Sequence, residues 1–192
     1  MLDQAAAIGA SRPIEWRQAD AMQLPFEDAS FDLVVCQFGA MFFPDKARAF
    51  AETRRVLRPG GRYLFSVWDR IEVNDFANTV TAALARRFPD DPPTFLARTP
   101  HGHADRTVLE RDLAAGGFSR PRFETVSARS RAASPEVPAI AYCQGTPLRS
   151  EIEARGGRLD EATTIATEAI AREYGRGAVD GGIQAIVVTL DR

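Results

Sequence analysis

A short segment near the start of the chain, Q-A-D-A-M-Q-L-P-F, contains groups suited to binding a flat nitrogen-containing ring. The carboxylate of Asp20 can accept hydrogen bonds from an exocyclic amine, and the backbone of Ala21 can serve a ring nitrogen. Met22 and Leu24 would supply an apolar wall beside the ring. The alternative is that Asp20 only starts a turn, a position that aspartate favours through bonds to its own backbone.

A second segment, C-Q-F-G-A-M-F-F-P-D, places a polar side chain directly after an apolar run. The amide of Gln37 can both donate and accept hydrogen bonds, and Gly39 allows a close approach of a ligand to the backbone. Met41, Phe42 and Phe43 are apolar where a loop is normally polar. Either these side chains border a ligand, or they pack beneath the next helix.

Three further residues are candidates for contacting a bound substrate. Trp68 ends a third apolar run and would form either a pocket wall or part of the core. His101 and His103, in the stretch H-G-H, could form a metal pair or supply a catalytic base. No cysteine or carboxylate cluster accompanies them, so we expect no metal site. The proline-rich sequence around them favours a surface loop.

Composition limits the classes of function that the chain can serve. A net charge of −2 over 192 residues gives no basic excess of the kind that binds nucleic acid. No stretch approaches the roughly 20 apolar residues of a membrane-spanning helix. Cys36 and Cys143 lie far apart in apolar contexts, which predicts free thiols and a cytoplasmic location. The length fits a single domain over 1–192.

The apolar pattern predicts strands that alternate with helices. The run F-D-L-V-V-C-Q-F indicates a strand buried on both faces of a parallel sheet. Alternating elements predict an α/β fold with a largely parallel sheet and helices on both faces, whose ligands bind beyond the carboxyl ends of the strands. The predicted strands are 14–18, 31–38, 62–69, 121–128 and 183–191, and the predicted helices are 45–57, 74–88, 107–115 and most of 135–174.

Several motifs in the first 70 or so residues occur in a familiar order. These are D-A at 20–21, L-P-F at 24–26, F-D at 31–32, Gln37, and R-V-L-R-P-G-G-R at 55–62. The order resembles that of the class I S-adenosylmethionine-dependent methyltransferases with a methyltransferase type 11 domain, and in particular the ubiquinone/menaquinone-biosynthesis C-methyltransferases. The resemblance implies a Rossmann-like sheet, mostly parallel, with an antiparallel final strand.

The resemblance also implies roles for the candidate residues. Asp20 would bind the adenine amine of S-adenosyl-L-methionine, with Ala21 and Met22 beside the ring. Gln37 and Phe38 would line the methionine end of the cofactor. Apart from the resemblance, we expect a small-molecule acceptor to contact Met41, Trp68, His101 and His103 and a helical acceptor-side or lid region at 89–175. No catalytic base is named by the resemblance.

One part of the family pattern does not occur in the sequence. The glycine-rich loop D-x-G-x-G-x-G and the acidic end of the second strand do not occur, and M-L-D-Q-A-A-A-I-G-A matches the helix that follows them in the family. We therefore expect an N-terminally truncated chain that lacks the family's first two strands, with an exposed sheet edge that supports a homodimer. Two hypotheses remain: methyl transfer to a small molecule, or a noncatalytic chain, which is either a catalytically incomplete truncated product or a binding or interaction domain.

Overall fold

The structure, a computed structural model, describes residues 2–192 and contains one mixed β-sheet. The strand order is β1-β2-β4-β3. β1 and β2 are parallel, and β4 runs antiparallel to both of its neighbours. Three strands therefore point one way and the last strand points the other way, as expected. The strands are β1 (Phe31–Gln37), β2 (Leu57–Trp68), β3 (Arg122–Ala132) and β4 (Val179–Asp191).

Eight α-helices accompany the sheet within the described residues. Most of the predicted helices are confirmed to within two residues, and the long helical segment divides into three near the predicted breaks. Among residues 2–192, no helix is long and apolar enough to cross a bilayer. The helices are α1 (Leu2–Ile8), α2 (Lys46–Val56), α3 (Asp75–Arg87), α4 (Phe95–Arg98), α5 (Arg106–Ala115), α6 (Glu136–Gly145), α7 (Leu148–Ala154) and α8 (Leu159–Tyr174).

The crossover from β1 to β2 is built from local sequence signals. The carboxylate of Asp45 accepts a hydrogen bond from the Arg48 amide at 2.9 Å and caps the start of α2. At the other end the chain enters β2 at Leu57, and Gly60 adopts a φ of +78°. The pairing register shifts at this point, so R-P-G-G forms an irregularity at the start of β2. Its glycines shape the backbone.

α2 and α5 cover one face of the sheet. The core there contains Phe50, Tyr63 and Phe65 together with apolar side chains of β4 and α5. A second apolar cluster joins α3, α6 and α8 beyond the carboxyl ends of β1 and β2. α3 also packs against the start of β4, where the ring of Phe76 approaches Gly181.

The prediction that β1 is buried on both faces is wrong. Leu33 and Val35 point away from the α2 side of the sheet and are 53% and 57% exposed. The reason is that α1 has no buried residue and so does not cover this face. Within residues 2–192, β1 pairs only with β2, which makes it an edge strand.

The predicted strand at 14–18 is also wrong. These residues adopt no regular structure, and Ile14 and Trp16 are exposed. Alternating apolar residues stabilise a strand only when a neighbouring strand and a core are available, and this segment contacts neither. Met1, on which the truncation hypothesis depends, lies outside the described residues.

Candidate functional site

A cavity of about 260 Å³ lies beyond the carboxyl ends of β1 and β2. Trp68, the last residue of β2, forms one wall, and Phe42, just after β1, forms another. The remaining walls come from the start of β4 and from the helical segments that follow α3. No charged side chain lines the cavity among the described residues. Its other lining residues include Asn74, Phe95, Leu96, His101, Tyr142, Thr146 and Ile183.

Phe38 connects the end of β1 to this cavity. It adopts a φ of +51°, a left-handed conformation that is unusual outside glycine. Its amide donates to the carbonyl oxygen of Ser66 at 3.1 Å and lies 3.2 Å from the Ser66 hydroxyl. Its ring stacks on Trp68, with centroids 4.1 Å apart and 17° between the planes. Phe38 and Trp68 thus form a double aromatic layer between the end of β1 and the cavity.

His101 is held in the cavity wall by its ring and its backbone. Its Nδ1 lies 2.8 Å from the carbonyl oxygen of Asp69. Because a carbonyl oxygen only accepts hydrogen bonds, Nδ1 carries the hydrogen and Nε2 of the neutral ring is an acceptor. Burial lowers the pKa of His101 below its ordinary value, against the opposing effect of nearby carboxylates. The imidazole is therefore neutral at pH 7.

His103 lies outside the cavity wall and faces α5. Its Nε2 is 3.9 Å from a carboxylate oxygen of Asp112 and has no hydrogen-bond partner within residues 2–192. Burial first, and then the charge of Lys46, lowers the pKa of His103 to about 4. His101 and His103 are 8% and 6% exposed, so the interpretation of H-G-H as a surface loop is wrong.

The structure places Asp20 in a tight turn. One carboxylate oxygen accepts the Met22 amide at 2.9 Å, and the Gln23 amide donates to the Asp20 carbonyl oxygen at 3.0 Å. The side chain of Asp20 is exposed, while Ala21 and Met22 are half-buried. The turn thus presents the second carboxylate oxygen of Asp20 to solvent.

Side chains of α2 hold this turn against the domain, a role that the sequence patterns did not predict. Glu52 accepts the Leu24 amide at 2.8 Å, and Arg55 donates to the Leu24 carbonyl oxygen at 2.9 Å. Arg48, in the first turn of α2, donates to the Met22 carbonyl oxygen at 3.0 Å. Hydrogen bonding from Arg55 lowers the pKa of Glu52. Their spacing on one helix face was the available signal, but it also fits an ordinary solvated helix surface.

The remaining candidate residues differ in accessibility. Gln37 ends β1 with an exposed side chain. Met41 is 4% exposed and packs in the core beneath α2. α2 begins a few residues after Met41, and its first turn binds the Asp20 turn through Arg48. The structure therefore brings the Asp20 turn and the end of β1 to the same end of the sheet.

Comparison with known proteins supports a methyltransferase fold. The family model described as "Methyltransferase domain" matches residues 1–65. The ubiquinone/menaquinone biosynthesis C-methyltransferase UbiE of Paraburkholderia phymatum is 34% identical over 117 residues, which are 57% of this chain and 48% of that protein. The UbiE protein of Marinomonas sp. (strain MWYL1) is 28% identical over 134 residues, or 65% of this chain and 53% of that protein. The chain thus spans about half the length of these curated relatives.

A solved structure extends the likeness beyond the N-terminal motifs. The crystal structure of a Bacillus halodurans C-125 protein assigned as a methyltransferase superposes with a TM-score of 0.54 at 19% identity. The superposition covers 93% of this chain and 77% of that chain. Residues 1–65 therefore match a methyltransferase domain, and the chain shares the overall fold of that solved structure.

Proposed function

We propose that the protein transfers the methyl group of S-adenosyl-L-methionine to a small, uncharged molecule bound in the cavity. The observation that carries the proposal is the stack of Phe38 on Trp68. It places a residue expected at the methionine end of the cofactor directly against a wall of the cavity. A methyl donor bordering Phe38 and an acceptor bordering Trp68 would lie side by side along the edge of this layer and meet beyond the carboxyl ends of β1 and β2.

The described residues fit two parts of the cofactor. The exposed oxygen of Asp20 is an acceptor for the adenine amine, and Ala21 and Met22 border the same turn. Gln37 and Phe38 would line the methionine end. S-adenosyl-L-methionine supplies a methyl group already activated on a sulfonium. The family's glycine-rich loop does not occur in the 192 residues, so the fit is limited to the adenine and methionine ends.

The lining of the cavity favours a flat, largely apolar acceptor. Aromatic and aliphatic side chains dominate the walls, with His101, Asn74 and Thr146 as the polar groups. The printed names of the relatives place them in ubiquinone and menaquinone biosynthesis as C-methyltransferases, which supports a quinol-like acceptor. Of the four acceptor-side candidates, Trp68 and His101 would contact this molecule, whereas Met41 and His103 would support the walls from behind.

The region 89–175 would close the cavity as part of one domain with the sheet. Its α6 and α8 share an apolar cluster with Phe76 of α3 and Val179 of β4. Orientation and exclusion of water are then the protein's main contributions, because the donor is already activated. Good orientation alone can lower a reaction barrier by roughly 7–11 kcal/mol.

The experiment that tests this function is a transfer assay with S-adenosylmethionine carrying a radiolabelled methyl group. The acceptors are a simple quinol, menadiol, and its quinone, menadione, as the matched control. We expect labelled, organic-extractable product with the quinol and none with the quinone. If S-adenosylmethionine binds but no acceptor in a wider panel of uncharged phenols and quinols is labelled, the proposed function is wrong.

A second candidate is a noncatalytic role based on association, with a second copy of the chain as the partner. It is favoured by the exposed apolar residues Leu33 and Val35 on β1, which pairs on one side only within residues 2–192. Such an edge readily pairs with another strand. For either role we propose a reducing cytoplasmic setting, in which the free thiols of Cys36 and Cys143 would persist.

A further inference from the structure

The hydrogen-bond network around His101 fixes both the position and the tautomer of its ring. The carbonyl oxygen of Asp69 that accepts from Nδ1 also accepts from the side-chain amide of Asn74 at 3.2 Å. The Asp69 amide donates to the carbonyl oxygen of Gln184 at 3.0 Å, and the Gln184 amide donates to the Asn74 side chain at 3.1 Å. The acceptor of the His101 proton is therefore anchored to β4 and to the start of α3.

The backbone at His101 is fixed as well. Its amide donates to the carbonyl oxygen of Leu96 at 3.1 Å. A Cβ at the next residue, Gly102, would lie 2.0 Å from the carbonyl oxygen of Arg98. Only glycine fits this close approach, which folds the loop back on α4 and turns His101 towards the cavity.

The opposite ring nitrogen, Nε2, is the group left for a ligand. It makes no hydrogen bond to any residue in 2–192, although the ring lines the cavity. The charged groups acting on the ring are the carboxylates of Glu72 and Asp69, and burial outweighs both. Across the cavity, burial raises the pKa of Tyr142, so its phenol stays neutral near pH 7. The neutral imidazole of His101 therefore presents the lone pair of Nε2 to a cavity whose described lining side chains are uncharged.

We infer that His101 is the general base of the transfer, and that the acceptor is a neutral molecule with a phenol-like O–H. The inference rests on the proposed function. As the ring carbon beside the O–H bonds to the methyl carbon, the carbon–sulfur bond breaks and its electron pair stays on sulfur. The O–H proton passes to Nε2 of His101, so the positive charge of the sulfonium becomes that of an imidazolium, which then releases the proton to solvent. The methylated ring regains its aromaticity when that carbon loses its hydrogen as a proton and the oxygen takes up a proton from solvent.

Asp69 and Asn74 act in this scheme as positioning residues. The imidazolium formed in the transfer keeps its Nδ1–H bond to the Asp69 carbonyl, which stabilises the charged ring. Asn74 is 2% exposed and has its side-chain amide and oxygen engaged in the network. Neither residue needs to touch the acceptor.

The first test uses the fact that the chain contains two histidines. In ¹⁵N-histidine-labelled His103→Asn protein, the remaining imidazole is that of His101. We expect the Nδ1–H tautomer at pH 7, which is the minor tautomer of free histidine. An Nε2–H tautomer would overturn the inference, because Nε2 would then be unable to accept a proton.

The second test compares two probes that differ by one methyl group, 4-methylphenol and its ether 4-methylanisole, in the absence of cofactor. One hydrogen bond to Nε2 predicts that the phenol binds about tenfold more tightly and shifts the Nε2 resonance. We expect the His101→Phe variant to bind 4-methylanisole as tightly as the unaltered chain does and to lose the preference for 4-methylphenol. The His101→Gln variant should restore part of that preference. Equal binding of the two probes by the unaltered chain contradicts the inference.

These outcomes separate the inference from the proposed function. If the chain prefers the phenol but does not bind S-adenosylmethionine, the hydrogen bond from the phenol to Nε2 of His101 is supported and methyl transfer is refuted. Methyl transfer that proceeds equally well in His101→Phe, with no preference for the phenol, would refute the role of His101 alone. Circular dichroism of each variant verifies that the fold is intact.

Discussion

Phe38 and Trp68 stack face to face at 4.1 Å, although Phe38 follows β1 and Trp68 is the last residue of β2. The contact requires Phe38 to leave β1 with a left-handed backbone, which the amide bonds to Ser66 stabilise. A strained residue at the end of a parallel strand is a common feature of functional sites. Here the strain positions an aromatic layer between the end of β1 and the cavity.

The strain and the stack at Phe38 can be separated by two substitutions. Phe38→Ala removes the stack and keeps the left-handed strain, whereas Phe38→Gly removes both. We therefore expect the glycine variant to be more stable than the alanine variant by about 1 kcal/mol. Urea unfolding measures the difference in the free energy of unfolding. Equal stabilities would show that the backbone at Phe38 is not strained.

Stability should depend on pH through His103. Its pKa is about 4 in the folded chain and near 6.5 when unfolded, so the unfolded state binds more protons between these values. The free energy of unfolding should be highest above pH 6.5 and fall by roughly 1 kcal/mol per pH unit as the pH drops towards 4. His103→Asn should flatten this slope in denaturant titrations. An unchanged slope in that variant would contradict the burial of a neutral His103.

The contacts from α2 to the Asp20 turn should control local order. Arg55→Gln removes the hydrogen bond from Arg55 to the Leu24 carbonyl oxygen and the ion pair between Arg55 and Glu52. We expect amide hydrogen exchange at Leu24 to accelerate about tenfold, since each lost charged hydrogen bond costs about 1.5 kcal/mol. The matched control is Arg54→Gln, an exposed neighbour on the same helix. Comparable acceleration in both variants would show that helix charge, and not the contact, orders the turn.

Association through the β1 edge should depend on its apolar residues. Val35→Lys places a charge on the exposed face of β1 and should convert a dimer into a monomer in light scattering at micromolar concentration. Val126→Lys is the control on β3, the opposite edge strand. That edge already carries three arginines, Arg122, Arg129 and Arg131, which disfavour strand pairing. A monomeric unaltered chain, or equal effects of the two variants, would refute the proposed dimer.

Local signals predicted much of the fold. The cap that Asp45 provides to α2 and the left-handed conformation of Gly60 each depend only on residues within about one turn. Local sequence patterns can therefore predict both features. The strand at 14–18 was wrong because its alternation had no partner strand to pair with. Pairing is a property of the whole sheet, and a short apolar pattern does not contain it.

The candidate site was predicted less completely. The burial of His101 depends on contacts with Asp69 and Leu96. The close approach of its loop to α4 depends on the backbone of Arg98. The cavity also takes walls from Phe95 and Tyr142, which lie far along the chain from β1. Such contacts between distant residues form only in the folded chain, so the H-G-H sequence alone resembled an exposed loop.

The most direct test of the proposed cofactor site is a calorimetric titration of the chain with S-adenosyl-L-methionine, comparing Asp20→Asn with Asp90→Asn. Asparagine at position 20 can keep the turn bond to Met22, but it presents an amide nitrogen to the adenine amine. We expect saturable binding that weakens at least about tenfold in Asp20→Asn and is unchanged in Asp90→Asn. No saturable binding by the unaltered chain, or equal affinity in Asp20→Asn, would contradict the proposed site.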